Sequence, residues 1–210
     1  MMSPEIAPED ALRLGCLAIQ QETETLQSLA DGLGEPFLQT AGLLVRCQGL
    51  VWITAVGTSA AVGERFAHIL TCSGARAMFL SPSDGLHGHA GIVSPEDLFV
   101  AMSRGGESQE VNQMVAIANS KGVPTIAFVH NTESTLARAC RYLLPIPSPQ
   151  EYELMGYLAT TSTVAFSAMC DALCAVVAHA RGFTPDAFAR IHPGGAVGKV
   201  LSQGDQRKTE

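Results

Sequence analysis

Residues 50–72, LVWITAVGTSAAVGERFAHILTC, contain the pattern that decides the fold. Residues 50–56 form a short, continuous apolar run, which is typical of a β-strand that is buried on both faces. A small, hydroxyl-bearing turn at 57–59 follows, and residues 60–72 then have the spacing of an amphipathic helix. A buried strand that leads directly into such a helix predicts one half of a βαβ unit and a parallel sheet.

The same alternation continues along the chain. Four further apolar runs predict strands at residues 75–80, 97–102, 125–129 and 142–146. Helical patterns after the first strand lie at residues 60–72, 110–121, 134–141 and 161–180. Strict alternation of strand and helix indicates an α/β fold with a five-stranded parallel sheet and right-handed crossovers.

The chain divides by pattern into three parts. Residues 1–48 are helical, with no strand among them, and their second helix covers residues 36–47. We expect these N-terminal helices to pack on a main domain that covers residues 49–202. Residues 203–210 form a polar tail.

Composition restricts the class of protein. Charged residues make up only 16% of the chain and the net charge is −7, which argues against a nucleic-acid partner because phosphate backbones demand basic patches. The low charge also favours subunit interfaces. The six cysteines form no C-x-x-C pair, and we find neither a secretory leader nor an apolar run of membrane-spanning length. We therefore expect a cytoplasmic protein with free thiols and no membrane partner.

Three small, hydroxyl-rich turns follow predicted strands one, three and five. Ligands of open parallel sheets bind beyond the carboxyl ends of the strands, and exposed amides at helix N-termini bind anions. The chain lacks the G-x-G-x-x-G and G-x-x-x-x-G-K-S/T nucleotide motifs, so a smaller phosphorylated metabolite is favoured. The residues of these turns that we assign to the ligand are Gly57, Thr58, Ser59, Ser103, Arg104, Gly106, Ser108, Thr161, Ser162 and Thr163.

Several motifs resemble those of one known family. SRGGESQE at 103–110 resembles the S-N-S-G-E-S/T-x-E loop of sugar isomerase (SIS) domains, and ESTLA at 133–137 resembles their P-E-S-T-L-A turn. RGFT at 181–184 and HPGGAVG at 192–198 resemble the A-R-G-F-T and S-H-P-G-G-A-L-G ending of arabinose-5-phosphate isomerases. The resemblance covers nearly the whole chain.

This resemblance implies a three-layer sandwich with a flavodoxin-like sheet, and a homotetramer whose active sites are shared between neighbouring subunits. It also implies interconversion of ribulose 5-phosphate and arabinose 5-phosphate through an enediol. The substrate partner would be a small phosphorylated sugar, and no metal or organic cofactor would be needed.

Three residues fall on positions of the family that suggest catalysis. Isomerisation needs a base above C1 and C2 and a donor for the oxygen-bound proton. The resemblance assigns these tasks to Glu107, Glu151 and His192, the last in ring opening or proton relay. Glu107 could instead cap a helix, and Glu151 could be a solvated turn residue. We set the neighbouring Glu153 aside.

An H-x-H pair occurs in a glycine-rich loop. His87 matches a histidine of the family's A-S-H-G-D motif, whereas His89 replaces its aspartate. A zinc site needs three or four ligands, and two histidines do not supply them. We therefore expect His87 to line the substrate site, and we assign no metal.

Three departures from the resemblance are notable. The full-length isomerases continue into a pair of regulatory modules, and this chain resembles a short form without them. Thr58 stands where the family's first loop, G-M-G-K-S-G, has a lysine. Gly105 replaces a serine of the third loop, a loss that we expect Arg104 to offset with its charge.

Three other functions stay open at this stage. Thr58 and Gly105 favour a non-catalytic sugar-phosphate sensor, and the SIS fold also serves isomerases of hexulose and heptose phosphates. A DNA-binding regulator would need a helix-turn-helix domain, which residues 1–48 do not supply convincingly. The sequence leaves the length and stereochemistry of the sugar open.

Overall fold

The computed structural model describes residues 6–194. The helices of that part are α1 Pro8–Asp31, α2 Glu35–Arg46, α3 Gly57–Cys72, α4 Pro82–Leu86, α5 Gln109–Ser120, α6 Thr135–Ala139, α7 Thr161–Ala180 and α8 Pro185–Ile191. Its strands are β1 Val51–Thr54, β2 Ala77–Phe79, β3 Leu98–Met102, β4 Thr125–Val129 and β5 Tyr142–Pro145. Short 3-10 helices lie at His89–Ile92 and Gln150–Tyr152. The predicted polar tail, 203–210, lies outside the described residues.

The strands form one parallel sheet in the order β2-β1-β3-β4-β5. β1 lies between β2 and β3. Val51 of β1 pairs with Ala77 of β2 on one side and with Leu98 of β3 on the other. This is the strand order of flavodoxin-like sheets. The prediction of an α/β fold with a five-stranded parallel sheet is therefore confirmed.

Helices cover both faces of the sheet, and successive strand residues enter different cores. Ile53 packs with Phe66 of α3 and Leu173 of α7 in one core, whereas the adjacent Trp52 packs with Met114 of α5 in the other. All five side chains are nearly or completely buried. Burial of each such side chain contributes about 1.5–3 kcal/mol, so the three layers hold together by their two cores.

A buried carboxylate fixes the amino ends of β1 and β3. Asp97 accepts hydrogen bonds from the Trp52 indole N–H at 2.8 Å, the Leu50 amide at 2.7 Å and the Ser94 amide at 2.9 Å. Buried polar groups cost free energy unless they are paired, and here both oxygens have partners. Asp97 thus belongs to the framework, at the edge opposite the predicted binding loops.

The first two helices pack against α7, on the outer side of one core. Thr25 and Leu29, in the second half of α1, are buried there. The first half of α1 carries exposed apolar side chains instead, with Leu12 71% and Ile19 66% exposed. Such a surface on a helix is typical of a segment that another chain covers.

Helix α7 differs from one expectation. It has 20 residues, and an 18-residue window within it has a mean hydropathy of 1.6, so the helix is long and apolar enough to cross a membrane. The expectation that no run reaches this length was wrong. Its Cys170, Leu173 and Val177 are completely buried in the core against the sheet. A helix that packs on one face of a central sheet is apolar for that reason alone.

Candidate active site

The loops after the strands meet at one edge of the sheet, and the start of α3 lies at its centre. Gly57 begins this helix with φ 60°, a left-handed conformation that favours glycine. The helix therefore begins at Gly57, whereas the apolar spacing predicts a start at residue 60. Thr58 and Ser59 consequently lie in its first turn, where unpaired amides and the helix dipole favour an anion.

A cleft of about 530 Å³ opens on one side of this helix start. Pockets of about 300–1,000 Å³ accommodate small ligands. His87, at the C-terminal end of α4, and Glu110, in the first turn of α5, both line the cleft. The remaining lining residues with polar groups or exposed backbone include Gly57, Glu64, Ser81 and Ser83.

The cleft contains one residue of interest that the sequence analysis did not assign. Glu110 belongs to the SRGGESQE motif but was given no role. Its position could have suggested one, because it lies in the first turn of the helix that follows a central strand. Side chains at such positions face the ligand edge of a parallel sheet.

A second groove, of about 520 Å³, lies on the other side of the α3 start. Thr58 of α3 and Thr163 of α7 both line it. Arg65 lines it as well, although its guanidinium is paired with Asp171 at 2.7 and 2.9 Å. The structure thus brings the first and the third predicted loops together across this groove.

The loop between β3 and α5 is shaped by its own hydroxyls. The Ser103 hydroxyl accepts a hydrogen bond from the Gly106 amide at 3.1 Å and lies 3.1 Å from the Ser108 hydroxyl. Gly106 has φ 71°, and a Cβ atom there would lie 2.0 Å from the Ser134 hydroxyl. The compact turn therefore requires glycine at this position.

Glu107 caps a helix, although not the helix that it precedes. Its carboxylate accepts hydrogen bonds from the Thr135 amide at 2.9 Å and from the Thr135 hydroxyl at 2.7 Å, at the start of α6. The bond from the backbone amide, and then that from the hydroxyl, lowers the pKa of this exposed carboxyl. Each carboxylate oxygen thus has a partner on Thr135, so the geometry supports a positioning role.

Arg104 is paired within the connection that leads to α7. Its guanidinium donates to Gln150 Oε1 at 2.7 Å and to the Ser148 carbonyl at 3.0 Å, and it lies 3.3 Å from the Glu153 carboxylate. These partners all belong to the connection between β5 and α7. In this structure its charge therefore balances Glu153, where we had expected it to offset a missing phosphate ligand.

Glu153, set aside in favour of Glu151, is the buried carboxylate of this region. It is 4% exposed and accepts hydrogen bonds from the Thr160 amide at 2.7 Å and the Ser162 amide at 3.1 Å. It caps the N-terminus of α7 in this way. Sequence spacing alone could not tell which of the two glutamates is buried, because the partner of the buried Glu153 is Arg104, which is distant along the chain.

The start of α7 is therefore partly occupied by internal bonds. Thr161 donates its hydroxyl to the Tyr152 carbonyl at 2.8 Å, and Thr163 donates to the Thr160 carbonyl at 2.6 Å. The hydroxyl of Ser162 is buried with no partner among the described residues. The proposed binding role of this turn consequently rests on Ser162 and on the groove-lining Thr163.

Glu151 is exposed on the 3-10 helix Gln150–Tyr152. Exposed apolar side chains follow it, among them Met155 at 64% and Tyr157 at 76%. Met155 also has a left-handed φ of 56°, unusual for a residue other than glycine. The Glu151 carboxylate is therefore followed along the chain by exposed apolar side chains.

His192 lies far from the other predicted residues within one chain. It follows α8 and contacts Cys72, at the C-terminal end of α3. Thr58 and Cys72 are separated by about 21 Å along the helix axis, at ~1.5 Å per residue. Within one chain, His192 is therefore distant from the loops at the start of α3.

The chain is thus an α/β protein with a doubly wound parallel sheet and a cleft beside a helix N-terminus, an arrangement that suits small anionic ligands. A family model described as the SIS domain matches residues 44–176, which is more than half of the chain. The chain therefore belongs to the SIS domain family, as the motifs of its sequence predict.

Individual relatives agree with this membership. The chain is 35% identical over 192 residues to the arabinose 5-phosphate isomerase KdsD of Yersinia pestis, in a match that covers 91% of this chain and 58% of that protein. It spans less than two thirds of the length of such relatives. A candidate sugar-phosphate isomerase from Listeria monocytogenes superposes with a TM-score of 0.86 at 27% identity, over 90% of this chain and 100% of that one.

The structure of an Escherichia coli CFT073 protein in complex with arabinose 5-phosphate has the same fold. It matches with a TM-score of 0.84 at 24% identity and covers 90% of this chain and 100% of that chain. At this identity the likeness shows the fold alone.

Proposed function

We propose that this chain is an enzyme that interconverts an aldose phosphate and a ketose phosphate. The observation that carries the proposal is the cleft beside the start of α3, because His87 and Glu110 line it together with Gly57. An imidazole and a carboxylate at this position can hydrogen-bond the hydroxyl groups of a sugar. The adjoining helix start supplies amides for a phosphate.

The chemistry needs a base that removes the proton from one sugar carbon and returns it to the neighbouring carbon. We propose Glu151 as this base, and His192 as the group that opens the sugar ring or relays the oxygen-bound proton. Glu107, which caps α6 with a lowered pKa, positions the loop rather than taking the proton. His87 lines the cleft and contacts the sugar.

We propose that phosphate is held by the first turn of α3 and by the loop before α5. Ser59 lies in the first of these, and Ser108, at the N-cap position of α5, lies in the second. Both helices present their N-termini at the same edge of the sheet, so their dipoles add at a single anion. Ser103 and Gly106 keep the second loop compact.

A homotetramer would complete the site. Cys72, which His192 contacts, is about 21 Å from Thr58 along α3, so the proposed chemistry needs His192 of a neighbouring subunit. The exposed apolar side chains of Leu12, Ile19 and Tyr157 support such an assembly.

All six cysteines lie within the described residues and are unpaired there, in keeping with the cytoplasmic location that we propose.

Arabinose 5-phosphate and ribulose 5-phosphate are the substrates that we propose. The support comes from the names of relatives, such as the arabinose 5-phosphate isomerases of Yersinia pestis and Escherichia coli K12 at 35% and 33% identity. Turnover of a hexose or heptose phosphate pair, with none of the pentose pair, would contradict this choice.

A second function, sugar-phosphate sensing without turnover, is favoured by Thr58. This residue lines the groove at the start of α3, and a neutral hydroxyl there stabilises developing negative charge less than a cation does. A direct assay on pentose, hexose and heptose phosphates distinguishes the two functions. Isomerisation of any one establishes an enzyme, whereas tight binding without turnover of any establishes a sensor.

A further inference from the structure

The short segment that carries Glu151 is held from both sides. Both chain neighbours of this residue make side-chain hydrogen bonds to distant parts of the molecule. Gln150 Oε1 accepts a hydrogen bond from the Arg104 guanidinium at 2.7 Å. The Tyr152 hydroxyl donates to the Glu24 carboxylate of α1 at 2.7 Å. The backbone on either side of Glu151 is therefore anchored, although its own side chain is exposed.

Arg104 also anchors residues before and after this segment. It donates from Nη2 to the Ser148 carbonyl at 3.0 Å and from Nε to the Ser148 hydroxyl at 3.2 Å. Ser148 is completely buried, and its amide donates to His130 Nδ1 at 3.0 Å, so all three of its polar groups are paired. The guanidinium also lies 3.3 Å from the buried Glu153 carboxylate. One side chain thus holds the connection between β5 and α7 on both sides of the proposed base.

Arg104 itself belongs to the loop between β3 and α5, for which we propose phosphate binding. It follows Ser103 directly, and its carbonyl oxygen accepts hydrogen bonds from the His130 amide at 2.9 Å and the Asn131 amide at 3.3 Å, in the loop after β4. Its backbone is thereby tied to one loop of this sheet edge and its side chain to another. A residue with these contacts sets the distance between the phosphate loop and Glu151.

We propose that Arg104 is a positioning residue, which holds Glu151 at a fixed place relative to the bound phosphate. This inference rests on the proposed function, in which Glu151 removes a proton from the sugar. A base must lie within hydrogen-bond reach of that proton, and a displacement of about 1 Å can cost about 10²-fold in rate. The guanidinium suits the task, because its five donors form a rigid fork that contacts several acceptors together.

Arg104 is a departure from the family motif. The resembling loop S-N-S-G-E has an asparagine where this chain has Arg104. An asparagine side chain has two donors and no charge, so it cannot replace the contacts to Ser148, Gln150 and Glu153 together. The positioning is therefore inferred from this chain's own residue and its contacts.

The first test compares Arg104→Lys with the wild type in steady-state isomerisation of the sugar phosphate that the wild type converts best. Lysine keeps a positive charge beside the buried Glu153, but a single ammonium group cannot donate to Gln150 and to both groups of Ser148 at once. We expect kcat to fall about 10–10²-fold, because the base is displaced. KM should stay within about 3-fold, because the groups proposed to hold the phosphate are unchanged.

The matched control is Arg141→Lys. This exposed arginine directly precedes β5, at the opposite edge of the sheet from the binding loops. The substitution should change neither kcat nor KM.

A second pair of variants removes one contact without touching a buried charge. Gln150 is exposed. Gln150→Leu deletes the acceptor of the Arg104 bond, whereas Gln150→Glu keeps an acceptor there. Both substitutions lose the donor to the Gly156 carbonyl, so their difference isolates the contact with Arg104. We expect kcat of Gln150→Leu to be about 3–10-fold below that of Gln150→Glu, each at its own pH optimum, the effect of one hydrogen bond.

A double-mutant cycle shows whether Arg104 acts through Glu151. Glu151→Gln already lacks the proposed base, so adding Arg104→Lys should lower kcat by no more than about 2-fold further. If the lysine variant does not fold, Gln150→Leu takes its place in the cycle. Multiplied, independent losses would overturn the inference, as would equal kcat in Gln150→Leu and Gln150→Glu or wild-type kcat in Arg104→Lys.

The outcomes separate this inference from the proposed function. If the wild type turns over, Glu151→Gln is slow and Arg104→Lys is normal, only the positioning role is wrong. If Glu151→Gln keeps full activity, or if the wild type converts no sugar phosphate, the proposed base or the proposed function is wrong, and the positioning role is overturned with it.

Discussion

The Glu107 carboxylate accepts two hydrogen bonds from Thr135, one from the backbone amide at 2.9 Å and one from the hydroxyl at 2.7 Å. These bonds connect the loop after β3 to the start of α6. Because they favour the charged carboxylate, they lower its pKa from the ordinary value of 4.5. The stability that they contribute is therefore fully present above that value and is lost as pH falls through the lowered pKa.

Glu107→Gln should consequently destabilise the protein at pH 7 and make little difference in strong acid. The glutamine keeps one acceptor oxygen but loses the charge that both Thr135 groups favour. Denaturant unfolding of wild type and variant at a series of pH values measures the difference. A difference that stays constant down to the lowest pH at which the protein folds would contradict the role of the charge.

Glu153→Gln should lower the free energy of unfolding by about 1–3 kcal/mol, the cost of leaving a buried group unsatisfied. An amide NH₂ group would face either the Thr160 or the Ser162 N–H, and Arg104 would lose its buried carboxylate partner. Urea unfolding checks this expectation. Glu151→Gln is the matched control, because this exposed residue should change stability by no more than about 0.5 kcal/mol.

Enzymatic activity should be more sensitive to substitution of Glu151 than of Glu153, the reverse of the order expected for stability. If Glu151 is the base, Glu151→Gln lowers kcat by about 10²–10⁴-fold, the usual contribution of a positioned acid or base. KM should change little, since the loss lies in the transition state. Normal turnover in Glu151→Gln, measured with the sugar phosphate that the wild type converts best, would remove this residue from the mechanism.

Subunit exchange tests whether the site is shared. If Glu151 and His192 act together from two subunits, mixing inactive Glu151→Gln with inactive His192→Ala restores about a quarter of the sites when subunits combine at random in a symmetric oligomer. Light scattering should first show a tetramer, or at least a dimer, at micromolar concentration. A monomer with full activity would exclude the shared site.

Binding should require the phosphate. Ribulose 5-phosphate should raise the melting temperature, whereas ribulose should not, because the helix starts at Gly57 and Gln109 address an anion. Equal stabilisation by both sugars would contradict a phosphate site at this edge.

The fold could be predicted because its signal is local. Each buried strand is a continuous apolar run, and adjacent residues such as Trp52 and Ile53 enter different cores, as in a sheet covered on both faces. The site was harder to predict from the sequence, because its geometry depends on contacts between residues that are distant along the chain. Arg104 faces Glu153 across 49 residues, and Cys72 meets His192 across 120. Neither pairing leaves a pattern in local spacing.

The last prediction concerns Thr58, which lines the groove at the start of α3. This residue stands where the first loop of the arabinose-5-phosphate isomerases, G-M-G-K-S-G, has a lysine. A lysine there would bring a cation to the sugar oxygens, where negative charge develops in the enediolate. Electrostatic groups of this kind contribute about 10²–10³-fold in rate. Thr58→Lys should therefore raise kcat more than it changes KM, since the added charge acts chiefly in the transition state.

The control is Thr58→Met, which has similar length and no charge, and which should leave kcat at or below the wild-type value. Steady-state kinetics on the best pentose phosphate decide the matter. If wild type and Thr58→Lys turn over equally fast, charge at this position is irrelevant to the chain. If neither turns over any sugar phosphate while both bind one tightly, the cleft belongs to a sensor, because the binding loops would then be intact and only the proton-transfer groups would be without effect.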